Sequence, residues 1–110
     1  MLFRSMPLSA DVSQLCKQFD TQIESLDIKG ARATIDAALK ENGASHEVLF
    51  RQARMHVILG DQEWQEEKKL PLYSKAVEFA NKAIAANGAS MGGYVYRAAA
   101  NGKEIGRAHV

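Results

Sequence analysis

The feature that most constrains this chain is an internal repeat. Ala31, Ala38, Asn42, Gly43, Ala44 and Ser45 recur as Ala76, Ala83, Asn87, Gly88, Ala89 and Ser90, each displaced by 45 residues. A constant displacement of that size marks a repeat architecture, in which each unit buries its apolar face only against its neighbours. The second copy falls within residues 61–90, which also carry the strongest helical pattern in the chain. Because stacked repeats create extended binding surfaces, the repeat makes a binding module the expected class.

Composition narrows the class further. A chain of 110 residues forms one domain at most, with a modest core. Its 46% apolar and 25% charged content is ordinary for a soluble globular protein. Two prolines and abundant alanine favour helix. A net charge of +1 gives no electrostatic reason to expect nucleic acid or an anionic membrane. The single cysteine, Cys16, excludes an internal disulfide and a cysteine-based zinc site. No apolar run approaches the roughly 20 residues a membrane-spanning helix needs, and the first residues lack a signal peptide's apolar stretch. Residues 2–5 (LFRS) and 105–110 (IGRAHV) resemble the two orientations of a translated sequencing adapter, and such tails are set aside in fold reasoning. Without Arg4 and Arg107 the chain holds 12 basic and 13 acidic residues, a net of −1. On this reading the natural protein extends in both directions. Its compartment is then open: cytoplasmic, or periplasmic if a signal peptide lies upstream.

The periodicity predicts an all-α chain of about five helices. Ser9 caps the first, whose apolar face is Val12, Leu15, Cys16, Phe19, Ile23 and Leu26, spaced three or four apart. Asp27 caps the second, with Ala31, Ile35, Ala38 and Leu39 inward. Asn42-Gly43 ends it, with glycine suited to a left-handed position. The short link between these helices demands an antiparallel hairpin. Ser45 caps the third helix, whose broad apolar surface is Val48, Leu49, Phe50, Ala53, Val57, Ile58 and Leu59, and Gly60-Asp61 ends it. Residues 62–72 form a charged insertion, and Pro71 predicts a break near Leu70 with the main helix over 71–86. Its apolar positions are Leu72, Tyr73, Ala76, Val77, Ala80, Ala83 and Ile84. A fifth helix starts at Ser90, with Tyr94, Val95, Ala98, Ala99 and Ile105 expected inward. The units are therefore a first hairpin over 6–44, a second over 45–89, and the truncated start of a third over 90–104.

This pattern resembles tetratricopeptide repeats, which stack helix pairs of about 34 residues. In the second unit Leu49 takes the family's large position in helix A and Ala53 its small one. Tyr73 matches the aromatic that opens helix B, and Ala76 and Ala83 match its paired alanines. Ala31, Ile35 and Ala38 fill the helix B positions of the first unit; Tyr94 and Ala98 begin the third. Phe19 stands where a small residue is usual, Ala80 where a bulky one is, and Gly43 where proline is. The insertion of about eleven residues lengthens the period to 45. Helix A reading EVLFRQAR, the Gly-Asp turn, the Glu/Lys-rich insertion and YSKAVEFANKAI resemble the repeat region of the regulator of microtubule dynamics family and its bacterial relatives, over residues 27–104. Nothing basic or extended supports microtubule association.

The resemblance implies an all-α solenoid fragment and a non-catalytic interaction scaffold, with a protein or peptide partner in a concave groove lined by the A helices. Its register places Glu47, Phe50, Arg54, Val57 and Ile58 in that groove, with Val95 the next unit's counterpart of Phe50. Phe50 offers apolar contact, and Arg54 suits a carboxylate. Alternatively, Phe50, Val57 and Ile58 are covered by further repeats. Trp64 either packs under the insertion or stands as a binding anchor. No catalytic, cofactor or metal site is expected. His46 and His56 lie ten apart, too far to chelate from one helix face, and read as surface or cap residues; His109 falls in the adapter-like tail. Cys16 reads as buried filler. Glu63, Glu66 and Glu67, beside Lys68 and Lys69, read as a solvated face. Gly92-Gly93 lacks the residues of a phosphate loop and reads as a close-packing site. A structural spacer or an arm that self-associates through unfinished repeat ends is the alternative function. With fewer than three whole repeats, marginal stability is expected.

Overall fold

In a computed structural model, which describes residues 10–108 with the side chains of 11–104, the chain is five helices: α1 (Ala10–Glu24), α2 (Ile28–Glu41), α3 (His46–Gln62), α4 (Glu66–Ala86) and α5 (Met91–Ala108). There is no strand among the described residues. Ser9, His109 and the adapter-like residues 2–5 lie outside the described residues. The backbone of α5 continues as helix through residues 105–108.

The helices pair in sequence. Packing joins α1 to α2 and α3 to α4, and α5 seats on both α3 and α4. The second hairpin has the most extensive contact, and α3 also touches α1 and α2. The molecule measures 53 × 29 × 19 Å with a radius of gyration of 14.2 Å, slightly above the about 13 Å of a compact domain this long. It is a short stack of helix hairpins.

Alpha1 and alpha2 are joined by a three-residue turn of the Schellman type. Asp27 N–H donates to the Gln22 carbonyl at 2.8 Å and Leu26 N–H to the Ile23 carbonyl at 3.0 Å. This puts Leu26 at φ 64°, the position that favours glycine, and leaves its side chain 80% exposed. Leu26 therefore leaves the apolar stripe predicted for it, because the turn and not the helix sets its direction. Asp27 caps α2 by accepting from Gly30 N–H at 3.0 Å.

The repeated Asn-Gly-Ala-Ser segment folds twice into one device. Asn42 and Asn87 end their helices with extended φ of −151° and −152°, each donating its N–H to an alanine carbonyl, Ala38 or Ala83. Their side chains accept from Ala44 N–H at 3.1 Å and Ala89 N–H at 2.9 Å. Ser45 then accepts from Glu47 N–H and Ser90 from Gly93 N–H, capping α3 and α5. The left-handed glycine expected after each helix does not occur: no described glycine has positive φ. The asparagine side chain turns the chain instead.

Two predicted boundaries shift. Helix α3 runs past Gly60-Asp61 to Gln62, with Glu63 N–H closing onto the Leu59 and Gly60 carbonyls. Helix α4 starts at Glu66 and carries Pro71 inside it, so the break expected near Leu70 is absent. Pro71 is exposed and lies within the first two turns, so little helix precedes it and one backbone bond, to the carbonyl four residues back, is forgone.

The core has two parts. Val12, Cys16, Phe19 and Ile23 of α1 meet Ala31, Ile35 and Ala38 of α2 and Val48 and Met55 of α3, with Ile58 and Leu59 packed against them. Val57 meets Ala76, Val77 and Ala100 between α3, α4 and α5. On α5 the inward face differs from the predicted one. Gly93 and Ala100 are buried, whereas Tyr94, Val95 and Ala98 are exposed; the side chain of Ile105 lies outside the described ones.

Candidate functional site

Side chains of α3 form one charged cluster with α1 and one aromatic cluster with α5. At the α1–α3 junction, Arg51 donates to both Asp20 oxygens, Nε at 3.0 Å and Nη2 at 2.9 Å, and Nη1 donates to Glu47 Oε1 at 2.9 Å. Its guanidinium also stands 4.7 Å from the centre of the Phe50 ring. Burial opposes the Arg51 charge, but the hydrogen bonds to Asp20 and Glu47 outweigh it and raise its pKa above the ordinary arginine value. The two-pronged geometry fixes the angle at which α1 lies on α3.

The α3–α5 junction is the same place one unit later, built differently. Phe50 stacks on Tyr96 with ring centres 6.4 Å apart and planes 14° from parallel. A Cβ on Gly92 would come within 2.5 Å of the Phe50 ring, so glycine there admits the stack. The Arg54 guanidinium lies 6.0 Å from the Tyr96 ring centre and has no ion pair among the described residues. Shifting Asp20 by 34 residues and Arg51 by 45 gives Arg54 and Tyr96. What is closed by a salt bridge in the first junction is therefore an open cation over an aromatic ring in the second.

The other predicted groove residues sit differently. Glu47 is engaged with Arg51. Val57 is 9% exposed and belongs to the second core. Ile58 packs against the first core. Val95 is 49% exposed, and it is Tyr96, not Val95, that stacks on Phe50. Trp64 is 83% exposed in the α3–α4 link, so it does not pack under the insertion.

His46 directly follows the α3 N-cap Ser45, in keeping with the surface-or-cap reading, and is part-buried; His56, further along α3, is part-buried against its neighbours. His56 Nδ1 bonds the Gln52 carbonyl at 2.9 Å, and its ring lies 5.3 Å from that of Phe79. Burial is the largest influence on its pKa and lowers it. Arg32 and Lys75 add to this, against the Gln52 carbonyl and Asp36. His46 Nδ1 lies 3.2 Å from Ser90 Oγ and its Nε2 3.7 Å from Glu47. That order of serine, histidine and carboxylate suggests acyl transfer, but the surroundings do not support it. Ser90 is 1% exposed and its oxygen already accepts from Gly93 N–H, which is a helix cap. Cys16 is buried as expected, and burial raises its thiol pKa, with Arg51 opposing.

A third cluster ties the end of α3 to α4 and α5. Asp61 accepts from the Tyr73 hydroxyl at 2.7 Å and pairs with Lys103 at 2.9 Å. Burial pushes its carboxyl up, but these two partners overcome it and hold the pKa below the ordinary value. Lys69 donates to the Gly60 carbonyl at 3.1 Å. Glu66 and Glu67 are exposed and Glu63 half-buried.

Sequence reasoning missed Arg51, Tyr96 and Lys103. The role of Tyr96 depends on Gly92 admitting the Phe50 ring, and that of Lys103 on where α3 ends, neither of which is a local signal. Among the described residues, no three His, Cys, Asp or Glu side chains are placed to hold a metal ion, and no helix is long and apolar enough to cross a membrane. No protein-family model, curated protein or solved structure matches this chain. The protein is thus defined by its architecture, an all-α stack of helix hairpins.

Proposed function

We propose that the chain is a non-catalytic protein–protein interaction scaffold of the tetratricopeptide kind, binding a peptide or helix of a partner along the face of α1, α3 and α5. The observation that carries this reading is the α3–α5 junction. Arg54 lies over Tyr96 without a carboxylate partner, while the equivalent place between α1 and α3 is filled by Asp20 and Arg51 from within the chain. A half-exposed guanidinium beside stacked aromatic rings offers a partner both charge and apolar area, the combination enriched in interaction hot spots. Phe50 and Glu47 border it, and Trp64 supplies a second, separate anchor. The resemblance to the repeat region of the regulator of microtubule dynamics family supports the same reading.

Panning a displayed peptide library on the purified protein tests it. Selected peptides bind the parent and lose at least tenfold affinity on Arg54→Ala and on Phe50→Ala, with the Arg54→Ala melting curve unchanged. If size-exclusion chromatography shows these variants altering self-association while peptide affinity stays the same, the groove reading fails. The spacer or self-association arm then replaces it.

A further inference from the structure

Trp64 differs from the other aromatic residues of the described chain. Phe19 and Tyr73 are fully buried, at 0% and 1% exposure. Phe50, Tyr96, Tyr94 and Phe79 each carry a cation from within the chain. Arg51 lies 4.7 Å from the Phe50 ring centre, Arg54 6.0 Å from that of Tyr96 and Arg97 5.3 Å from that of Tyr94. Lys75 and Lys82 lie 5.8 and 5.6 Å from Phe79. Trp64 is 83% exposed, and among the described residues no cation stands over its ring. Yet the indole is the side chain whose face holds a cation best.

The residues around Trp64 carry the charge that would draw a cation there. Glu63 reaches past it, its Oε2 accepting from Gln65 N–H at 3.0 Å. Glu66 and Glu67 follow, exposed, in the first turn of α4. Of the two lysines next in sequence, Lys69 is turned onto the Gly60 carbonyl, and Lys68 stands over no ring. The link itself is held in place. Glu63 N–H bonds the Leu59 carbonyl at 3.0 Å, and Lys68 N–H bonds the Gln65 carbonyl at 3.0 Å. A large side chain shown from an ordered link leaves little ordering cost to binding. Its exposure is no effect of where the chain stops: the link joins two paired helices, and α3 is packed by α1 and α2 as well as by α4 and α5.

We propose that Trp64, with Glu63 and Glu67 beside it, is a docking point for an arginine on a segment of a partner protein. The guanidinium lies flat on the indole, and its edge donates to a carboxylate. Arginine suits the place better than lysine, because its planar group stacks and pairs at once. The chain builds the same combination for itself at Arg51, which meets the Phe50 ring, Asp20 and Glu47 together. This inference rests on the reading of the chain as an interaction scaffold, but not on the Arg54–Tyr96 junction. That junction offers a cation and calls for the opposite charge, so the two anchors do not compete for one ligand group.

The test is to pan a displayed random peptide library on the full chain and on Trp64→Ala, whose exposed position should leave circular dichroism and melting unchanged. Clones kept by the parent and lost on Trp64→Ala should be enriched in arginine over the unselected library. Synthetic peptides from those clones should shift the emission of Trp64, the one tryptophan in the chain. Glu67→Lys, or citrulline in place of the peptide's arginine, should each weaken them at least tenfold, and Arg54→Ala should leave them unchanged. Trp64-dependent clones without arginine enrichment overturn the proposal, as does binding indifferent to citrulline. Clones that depend on Arg54 with none that depend on Trp64 overturn it and leave the scaffold reading standing; if neither class appears, both fall. Self-association in sedimentation that Trp64→Ala abolishes, with no peptide binding, overturns it in favour of a second copy. An emission shift with anionic phospholipid vesicles and not with peptides overturns it in favour of a membrane surface.

Discussion

At the scale of single residues, His56 is the group through which mild acid should act on this fold. Its ring is half-buried between the Gln52 carbonyl and Phe79, and burial holds its pKa below the ordinary 6.5. A histidine whose folded pKa is lowered binds fewer protons folded than unfolded. Its contribution is then fully present above the unfolded value and declines as pH falls from 6.5 towards the folded pKa, below which it levels off. Urea titrations from pH 7.5 to 5.0 should show stability declining on the acid side of 6.5, and His56→Phe should flatten that decline. An unchanged slope in the variant would assign the effect to another group. Nothing in the sequence separates His56 from His46. Each sits in α3, and only the identity of the facing helix residues, Phe79 for one and Ser90 for the other, distinguishes them.

Between elements, the closeness of α3 and α4 rests on one missing methyl group. A Cβ on Gly60 would sit inside contact distance of the Tyr73 ring, and that ring's hydroxyl is held by Asp61, so it cannot easily move aside. Gly60→Ala should cost about 1–3 kcal/mol, as overpacking does. Gly102→Ala, with nothing within 4 Å, should gain about 0.5–1 kcal/mol by helix propensity alone. Chemical denaturation of the pair gives the sign of each; a stabilising Gly60→Ala would mean that α3 and α4 lie further apart than described. The element pattern was largely legible, because apolar spacing and caps are local: Asp27, Ser45 and the Asn-Gly-Ala-Ser turns all act within three residues. What was not legible depends on partners. Proline's cost inside a helix predicts a break at Pro71, but its exposed place early in α4 depends on packing that the sequence does not show. Leu26 was read as core because it kept the spacing, yet the turn places it at positive φ. The inward face of α5 was misjudged because Tyr94, Val95 and Ala98 have the right pattern for a helix that is covered on that side. Arg54 and Phe50, singled out by the repeat register, do lie together beside Tyr96, but Tyr96 itself has no signal in the sequence, because its place follows from Gly92 admitting the Phe50 ring.

For the whole molecule, the arrangement of the two cores predicts how it comes apart. Helix α3 is a shared wall: Val48 and Met55 face the first core, and Val57 the second. The first hairpin is attached to α3 through α1 and α2, and these contacts are less extensive than those of α3 with α4. In a stack where each unit touches only its neighbours, stability is close to a sum of unit and interface contributions, and opening begins where the interface is weakest. The side chain that commits α1 to the first core is Phe19, fully buried among Ile35, Val48 and their neighbours. Phe19→Ala should cost about 3–5 kcal/mol locally. Hydrogen exchange followed by mass spectrometry should then show α1 and α2 exchanging quickly while the amides of α4 keep most of their protection. In the parent protein the same order should hold with smaller differences, α1 opening before α4. Equal loss of protection across all five helices would mean that α3 transmits the damage and that the stack folds as one cooperative unit. Arg51→Met provides the complementary case. It removes the link from α3 to Asp20 without a cavity in either core, so it should loosen α1 alone and leave α2, which is held by Gln52 through Asp36, as protected as before.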